Sequence, residues 1–322
     1  MTSKTDLRVS IIGAGMGGLA AALAFAKKGF TNIPCLRRRT RPRLRRRRHP
    51  NDPQYDPPPR PAKVKFIAED ENGKPQIIET DVLIGADGIK FKARKRHIIA
   101  YPIHNHSIFN IASVQPDVNF AGATNATWTN KGSKNAMMRV FQDFNPIVQQ
   151  LLDLVPGDEV VEWKLRCHEP LDTWTCGAVT MLGDACHPTL PHLSQGAAMA
   201  IEDAATLAEA LSLMPGDGSD REAIEKTLKV YELLRKPRTS TLVDLAVQSA
   251  KALHLDAGNA REERDRQFAA AAATKTGNAP LPDRWVSPEV QKMIYEHDCI
   301  KDTRERFEQT YKSVSKGATS KL

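Results

Sequence analysis

The residues best placed to do chemistry lie in three short runs. In the first, Gly13-Ala14-Gly15-Met16-Gly17-Gly18 follows the apolar run Val9-Ser10-Ile11-Ile12 and leads into an alanine-rich segment ending near Lys27-Lys28-Gly29. In the spacing Gly13-x-Gly15-x-x-Gly18, the first glycine permits a tight turn and the second lets a pyrophosphate approach the main chain. The third allows close packing of the helix, whose N-terminus supplies partial positive charge. Between a strand and a helix, this is a dinucleotide-binding pattern. The second run is Asp81-Val82-Leu83-Ile84-Gly85-Ala86-Asp87-Gly88, followed by Arg94. The third is Gly183-Asp184-Ala185-Cys186-His187-Pro188, with Pro191, Gly196 and Asp203 beyond it. At a strand end Asp184 can accept hydrogen bonds from polyol hydroxyls, and the glycines let the main chain lie against a flat ring. The helix expected from Gly196 points its positive end at the same place.

The elements that must position these runs are legible from periodicity. Residues 8–12 predict a buried strand and the following alanines a helix. A hairpin is expected over 64–68 and 76–79 with its turn at Asp70-Glu71-Asn72-Gly73, and a buried strand over 82–84. Two alternating runs from His97 to Val114, turning near Asn105 and His106, and a third over 160–167 predict an antiparallel layer. Helices are expected near 134–144, 147–154, 196–213, 221–253, 288–296 and 303–313, with a strand at 178–182. Asp203 then falls inside a helix, where a structural role is expected. Tyr231, Arg235 and Arg238 share a helix face that reads as solvated. Cys186, His187 and His192 predict no metal site, because the segment is accounted for by its turn and has no second ligand cluster.

Composition narrows the function classes. The chain has 322 residues, 41% hydrophobic and 26% charged, enough for a substantial core. No apolar run approaches the roughly 20 residues of a membrane span, and no signal-peptide pattern precedes Leu7, so neither a span nor secretion is expected. Five scattered cysteines without a C-x-x-C pair predict reduced thiols. The net charge of +8 is concentrated: Arg37 to Arg48 holds nine arginines and no acid, leaving the remainder at −1. From Leu36 to Pro61, ten arginines and seven prolines leave little from which to build a core, so this tract is read as disordered. A nucleic-acid-binding arm over Arg37–Arg48 is the alternative, weakened by the lack of interleaved aromatics. The terminal Ser320-Lys321-Leu322 has the form of a peroxisomal address, so import through its receptor is expected, and a cytoplasmic location otherwise.

In order and spacing, the three runs resemble the class A FAD-dependent aromatic monooxygenases, which include salicylate and para-hydroxybenzoate hydroxylases. The look of the fungal salicylate hydroxylase-like branch extends through His97-Ile-Ile-Ala-Tyr-Pro-Ile103, Gly122-Ala-Thr-Asn-Ala-Thr-Trp128 and Trp163 to Leu211. The resemblance implies an α/β fold: a Rossmann-like FAD-binding domain, an incomplete antiparallel-sheet substrate domain and a helical C-terminal region. Its FAD-binding parts would be 1–35, 62–96 and 175–252, its substrate-domain remnant 97–174 and its C-terminal tail 253–322, with the arginine-proline tract at 36–61. It implies FAD contacts at Gly13, Gly15, Gly18, Asp87, Gly88, Gly183, Asp184, Pro191 and Gly196, with Asp87 and Gly88 also serving NAD(P)H and Pro191 near the reactive flavin edge. It further implies NAD(P)H as co-substrate and the hydroxylation by O2 of a small aromatic substrate such as salicylate. No catalytic side chain is assigned; His104, His106 and His187 are candidates to deprotonate a phenol, each also readable as a packed or turn residue. The sequence departs from the family in three ways. Phe91 stands where a serine is expected, residues 33–38 (Ile-Pro-Cys-Leu-Arg-Arg) lack the ribose-binding acid, and the chain is short between Gly18 and Asp87 and between Arg94 and His97. A shortened, non-catalytic relative is therefore an alternative reading.

Overall fold

The computed structural model describes residues 4–12, 16–36, 64–69, 75–80, 82–85, 96–105, 107–115, 129–157, 160–163, 165, 168–216, 218–255, 258–273 and 287–319. In chain order its elements begin with β1 (Val9–Ile12), α1 (Met16–Lys27), β2 (Cys35–Leu36), β3 (Val64–Glu69), β4 (Pro75–Thr80) and β5 (Val82–Gly85). There follow β6 (His97–Ile103), β7 (Ile108–Val114), β8 (Thr129–Lys131), α2 (Lys134–Val140), α3 (Pro146–Asp153) and β9 (Val161–Trp163). The last part contains β10 (Thr175–Cys176), β11 (Val179–Met181), α4 (Gly196–Leu213), α5 (Arg221–Leu253), α6 (Asn259–Ala273), α7 (Pro288–Tyr295) and α8 (Cys299–Thr319). The chain divides into two units. The first comprises Met1–Gly88, Glu169–Ala246 and Pro288–Leu322; the second comprises Ile89–His168 and Val247–Ser287. The stretch read from sequence as one C-terminal tail is thus shared between them.

The first unit is built on a five-stranded sheet of order β10-β11-β5-β1-β2, parallel except for β10. Every residue of β1 is buried, as a central parallel strand covered on both faces requires, and three of its four residues are Val or Ile. Helix α1 ends at Gly29, whose φ of +85° is the left-handed conformation that closes a helix, with Phe30 N–H donating back to Phe25 O at 3.1 Å. The core of this unit includes Leu7, Val9, Ile11, Phe25, Phe30, Trp174, Leu182, Leu207, Leu211 and Tyr231. Helices α4 and α5 supply much of it, and α5 starts where Asp220 Oδ1 accepts from Ala223 N–H at 3.0 Å. Strands β3 and β4 form a separate antiparallel hairpin.

The second unit contains two antiparallel pairs, β6 with β7 and β8 with β9. Met137, Phe141 and Leu152 of the α2–α3 region form its core with Ile98, Ile111 and Val148. Ser133 caps α2, and Asn145 caps α3 ahead of Pro146. Arg96 grips Asp143 with two parallel bonds of 2.6 and 2.7 Å while lying over the Phe144 ring. The architecture is the α/β class expected. Elements that periodicity did not announce are β2, β8, β10 and α6, the three strands too short to show any period.

Candidate functional site

The site begins with strand register. In the first unit Ile12 of β1 pairs with Gly85 of β5, and Gly85 pairs in turn with Met181 of β11. These parallel strands therefore end side by side. The next residues in sequence are Gly13, Ala86-Asp87 and Leu182-Gly183-Asp184, so the strand ends that lead into the three chemistry-bearing runs share one edge of the sheet. In a parallel α/β sheet, the crevice outside the carboxyl ends of the strands is where ligands bind. Gly13, Gly15, Asp87, Gly88 and Arg94 themselves lie outside the described residues; the strand ends that feed them do not.

Among the described residues of the first run the closest approach is at Gly17, which the sequence pattern did not single out. A Cβ there would sit 2.7 Å from Leu182 Cδ1 and 3.2 Å from Ala200 Cβ, so a side chain at this position would require Leu182 and Ala200 to shift. Gly18 is buried in the same helix turn. Strand β2 reaches the same sheet edge, with Leu36 beside Ile12. Residues 33–38, the stretch in which the sequence pattern calls for an acid, hold none.

The third run is described in full. Gly183 has a φ of +61°, and a Cβ on it would meet Ala200 Cβ at 3.0 Å, so only glycine fits both the conformation and the space. Its carbonyl accepts from the N–H groups of Cys186 and His187, both at 3.0 Å. Asp184 is the exposed member of this turn. Desolvation on its inner side raises its carboxyl above the ordinary value, with His187 opposing and Asp203 adding to the shift. One of its oxygens lies 3.9 Å from the point a Cβ on Gly196 would occupy, which brings Asp184 to the start of α4. Pro191 is exposed in the short 3-10 turn that precedes α4. Asp184, Pro191 and Gly196 thus lie around the helix end that carries partial positive charge.

Behind this turn is a buried charge network. Asp203, fully inaccessible, accepts from Gly183 N–H at 2.9 Å and faces His187 Nε2 at 2.5 Å with the same oxygen. Its other oxygen accepts from Arg235 Nε at 2.8 Å. Burial alone would raise the Asp203 carboxyl, but His187 and Arg235 outweigh it and hold the group at about 2. Arg235 also pairs with Glu202 at 2.8 Å, and Glu202 accepts two bonds of 2.8 Å from Arg238. Arg238 in turn donates to the carbonyls of Met293 and Ile294 in α7. Tyr231 donates to Met181 O at 3.1 Å, fixing the end of β11. The α5 face expected to be solvated is therefore interior, with Tyr231 at 0% and Arg235 at 1% exposure. Sequence reasoning could have found the pairing signal, since Glu202 and Asp203 offer α4 carboxylates to the arginines of α5.

Cys186, His187 and Asp203 bring donor atoms within 4.8 Å of one another, but the arrangement is spent. Both Asp203 oxygens are hydrogen-bonded, Arg235 supplies the positive charge, and burial pushes the Cys186 thiol well up, keeping it protonated. Of the histidines considered as bases, His187 is packed against Asp203, His104 occupies the β6–β7 turn with a φ of +49°, and His106 lies outside the described residues.

A parallel sheet with a glycine-containing turn at its carboxyl edge and an acid at the mouth is the arrangement on which α/β proteins bind nucleotides. Comparison with known proteins sharpens this: residues 126–246 match the family described as "FAD binding domain". An FAD-dependent monooxygenase of Arthrinium, atnJ, is 33% identical over 187 residues, 58% of this chain and 42% of that protein. A 3-hydroxybenzoate 6-hydroxylase of Aquipseudomonas alcaligenes is 36% identical over 150 residues, 46% of this chain and 43% of that protein. Among solved structures, a salicylate hydroxylase substrate complex aligns with a TM-score of 0.63 at 18% identity, covering 94% of this chain and 98% of that one. FqzB aligns at 0.67 and 15%, covering 98% of this chain and 96% of that one. Over these spans the chain is similar to FAD-dependent monooxygenases, and it shares the fold of the solved structures, while its matches span less than half the length of the curated relatives.

Proposed function

We propose that this chain binds FAD at the carboxyl edge of the β1–β5–β11 sheet and serves a monooxygenase that uses NAD(P)H and O2 to hydroxylate a small phenolic or other aromatic substrate, salicylate among the candidates. The observation that carries this reading is the register of Ile12, Gly85 and Met181, which aligns the three strand ends leading to the motif runs. The residues present suit a flavin nucleotide: Gly183 offers main chain where a side chain has no room, and Asp184 presents a carboxylate beside the start of α4. Asp184 would accept hydrogen bonds from the ribityl hydroxyls, and Gly13, Gly15 and Gly18 would receive the pyrophosphate. Asp87, Gly88, Pro191 and Gly196 would complete the enclosure. When bound, FAD supplies the redox and oxygen chemistry, leaving the protein to orient the reactants and exclude water. No side chain of this chain need act as nucleophile.

Purified protein should be yellow, with a protein-bound flavin absorption spectrum, and should bind added FAD saturably. Asp184→Asn should weaken FAD by about tenfold, the worth of a charge-assisted hydrogen bond. Refusal of FAD by the folded chain at saturating concentration would overturn the reading. Stimulation of NAD(P)H oxidation by phenolic acids tests the catalytic half and separates an enzyme from a non-catalytic relative. Peroxisomal import through Ser320-Lys321-Leu322, which lies outside the described residues, is also proposed. Deleting the tripeptide from a fluorescent fusion should return it to the cytosol.

A further inference from the structure

We infer that Asp203, which lies behind the cofactor turn and not in it, is the positioning residue that sets the aim of Asp184 toward the flavin nucleotide. The inference rests on the FAD reading above. Asp184 is held between fixed points on both sides. Two peptides earlier in the turn are pinned from different helices: Met181 O by Tyr231 of α5, and Gly183 N–H by Asp203 of α4. Three residues later the His187 side chain is pinned by that same Asp203 oxygen. Asp203 therefore grips the turn immediately before and shortly after Asp184, while Asp184 itself remains exposed at the mouth. A peptide at a φ of +61° beside an exposed side chain has an alternative, the flipped peptide, and the bond from Gly183 N–H to a buried carboxylate excludes it.

The charge on Asp203 matters to this grip. An ionised carboxylate accepts from three donors at once, here Gly183 N–H, His187 Nε2 and Arg235 Nε, whereas an amide presents one acceptor oxygen and a donor face. Arg235 keeps the carboxylate ionised from one side and is itself shared with Glu202, so the charges balance within the buried network. The residue acts through Gly183, and its loss should be felt at FAD only insofar as Asp184 is there to be aimed.

That condition makes a double-mutant cycle decisive. FAD affinity would be titrated by fluorescence for the full chain and for Asp184→Asn, Asp203→Asn and the double variant, with thermal melting of each flavin-free protein alongside. Each single change should weaken FAD by about tenfold. The double variant should be no more than about twofold weaker than the weaker single one, although its melting temperature falls as for Asp203→Asn alone. Multiplying losses, near a hundredfold together, would overturn the inference and leave FAD binding intact. If Asp203→Asn does not fold, His187→Ala and His187→Gln carry the same cycle. The alanine should weaken FAD only when Asp184 is present, and the glutamine, whose amide can still donate to Asp203, should restore affinity. Failure of the unmodified chain to bind FAD removes both the reading and the inference.

Discussion

Arg235 Nε meets Asp203 Oδ1 at 2.8 Å with both side chains withdrawn from solvent, and the pair joins α5 to α4 directly behind the Gly183 turn. Such a pair contributes modest net stability when intact but is costly to break, because the surviving charge is left buried and uncompensated. Arg235→Ala should therefore destabilise the protein by about 3–5 kcal/mol, read from denaturant unfolding. Arg238→Ala should cost less, since that side chain is only partly buried and Glu202 keeps Arg235.

The same network gives the stability curve an acid limb. The Asp203 carboxyl is held at about 2 against an ordinary value of 3.8, so its stabilising contribution is complete above about pH 4 and is lost as pH falls toward 2. Glu202 and Glu232 are likewise lowered, despite burial, by Arg238 and Arg235 in one case and by Lys229, Thr173 and Trp174 in the other. Acid titration followed by circular dichroism should show cooperative loss of structure in this window, and Asp203→Asn should flatten the limb while lowering stability at neutral pH.

Gly183 should tolerate alanine poorly, and Gly17 should accept it at a smaller cost. At Gly17 the added methyl would meet Leu182 Cδ1, the movable end of its side chain, at 2.7 Å, an overpacking cost of about 1 kcal/mol. At Gly183 the positive φ adds strain of about 1 kcal/mol or more to a 3.0 Å approach to Ala200. Melting of the flavin-free variants should show both losses. Gly157→Ala, where a Cβ meets nothing within 4 Å, should be close to neutral.

Glu232 accepts from Thr173 Oγ1, Trp174 N–H and Thr175 Oγ1 at 2.8 to 3.1 Å and so anchors the approach to β10. Glu232→Ala should cost about 1–3 kcal/mol by leaving the Trp174 N–H without its acceptor, and a shift in Trp174 fluorescence should accompany it. Tyr231→Phe, which removes only the bond to Met181 O, should cost about 1 kcal/mol.

Local sequence patterns by themselves determined where the longer regular elements other than α6 lie and which runs could meet a nucleotide. Val9–Ile12, Gly196–Leu213 and Arg221–Leu253 are readable because period and end signals act within a few residues. The same is true of Gly183 and Asp184, whose meaning comes from a strand end followed by a turn. What only the tertiary structure decided is which residues oppose one another across elements. That Ile12, Gly85 and Met181 share one register, that Gly17 lies close against Leu182 and Ala200, and that Arg235 faces inward to Asp203 are all relations between segments from 32 to about 180 residues apart. A helix face bearing Tyr231, Arg235 and Arg238 has the same local pattern whether it faces water or a partner carboxylate. Only the packing of α4 against α5 supplies Glu202 and Asp203 and makes burial of those charges affordable.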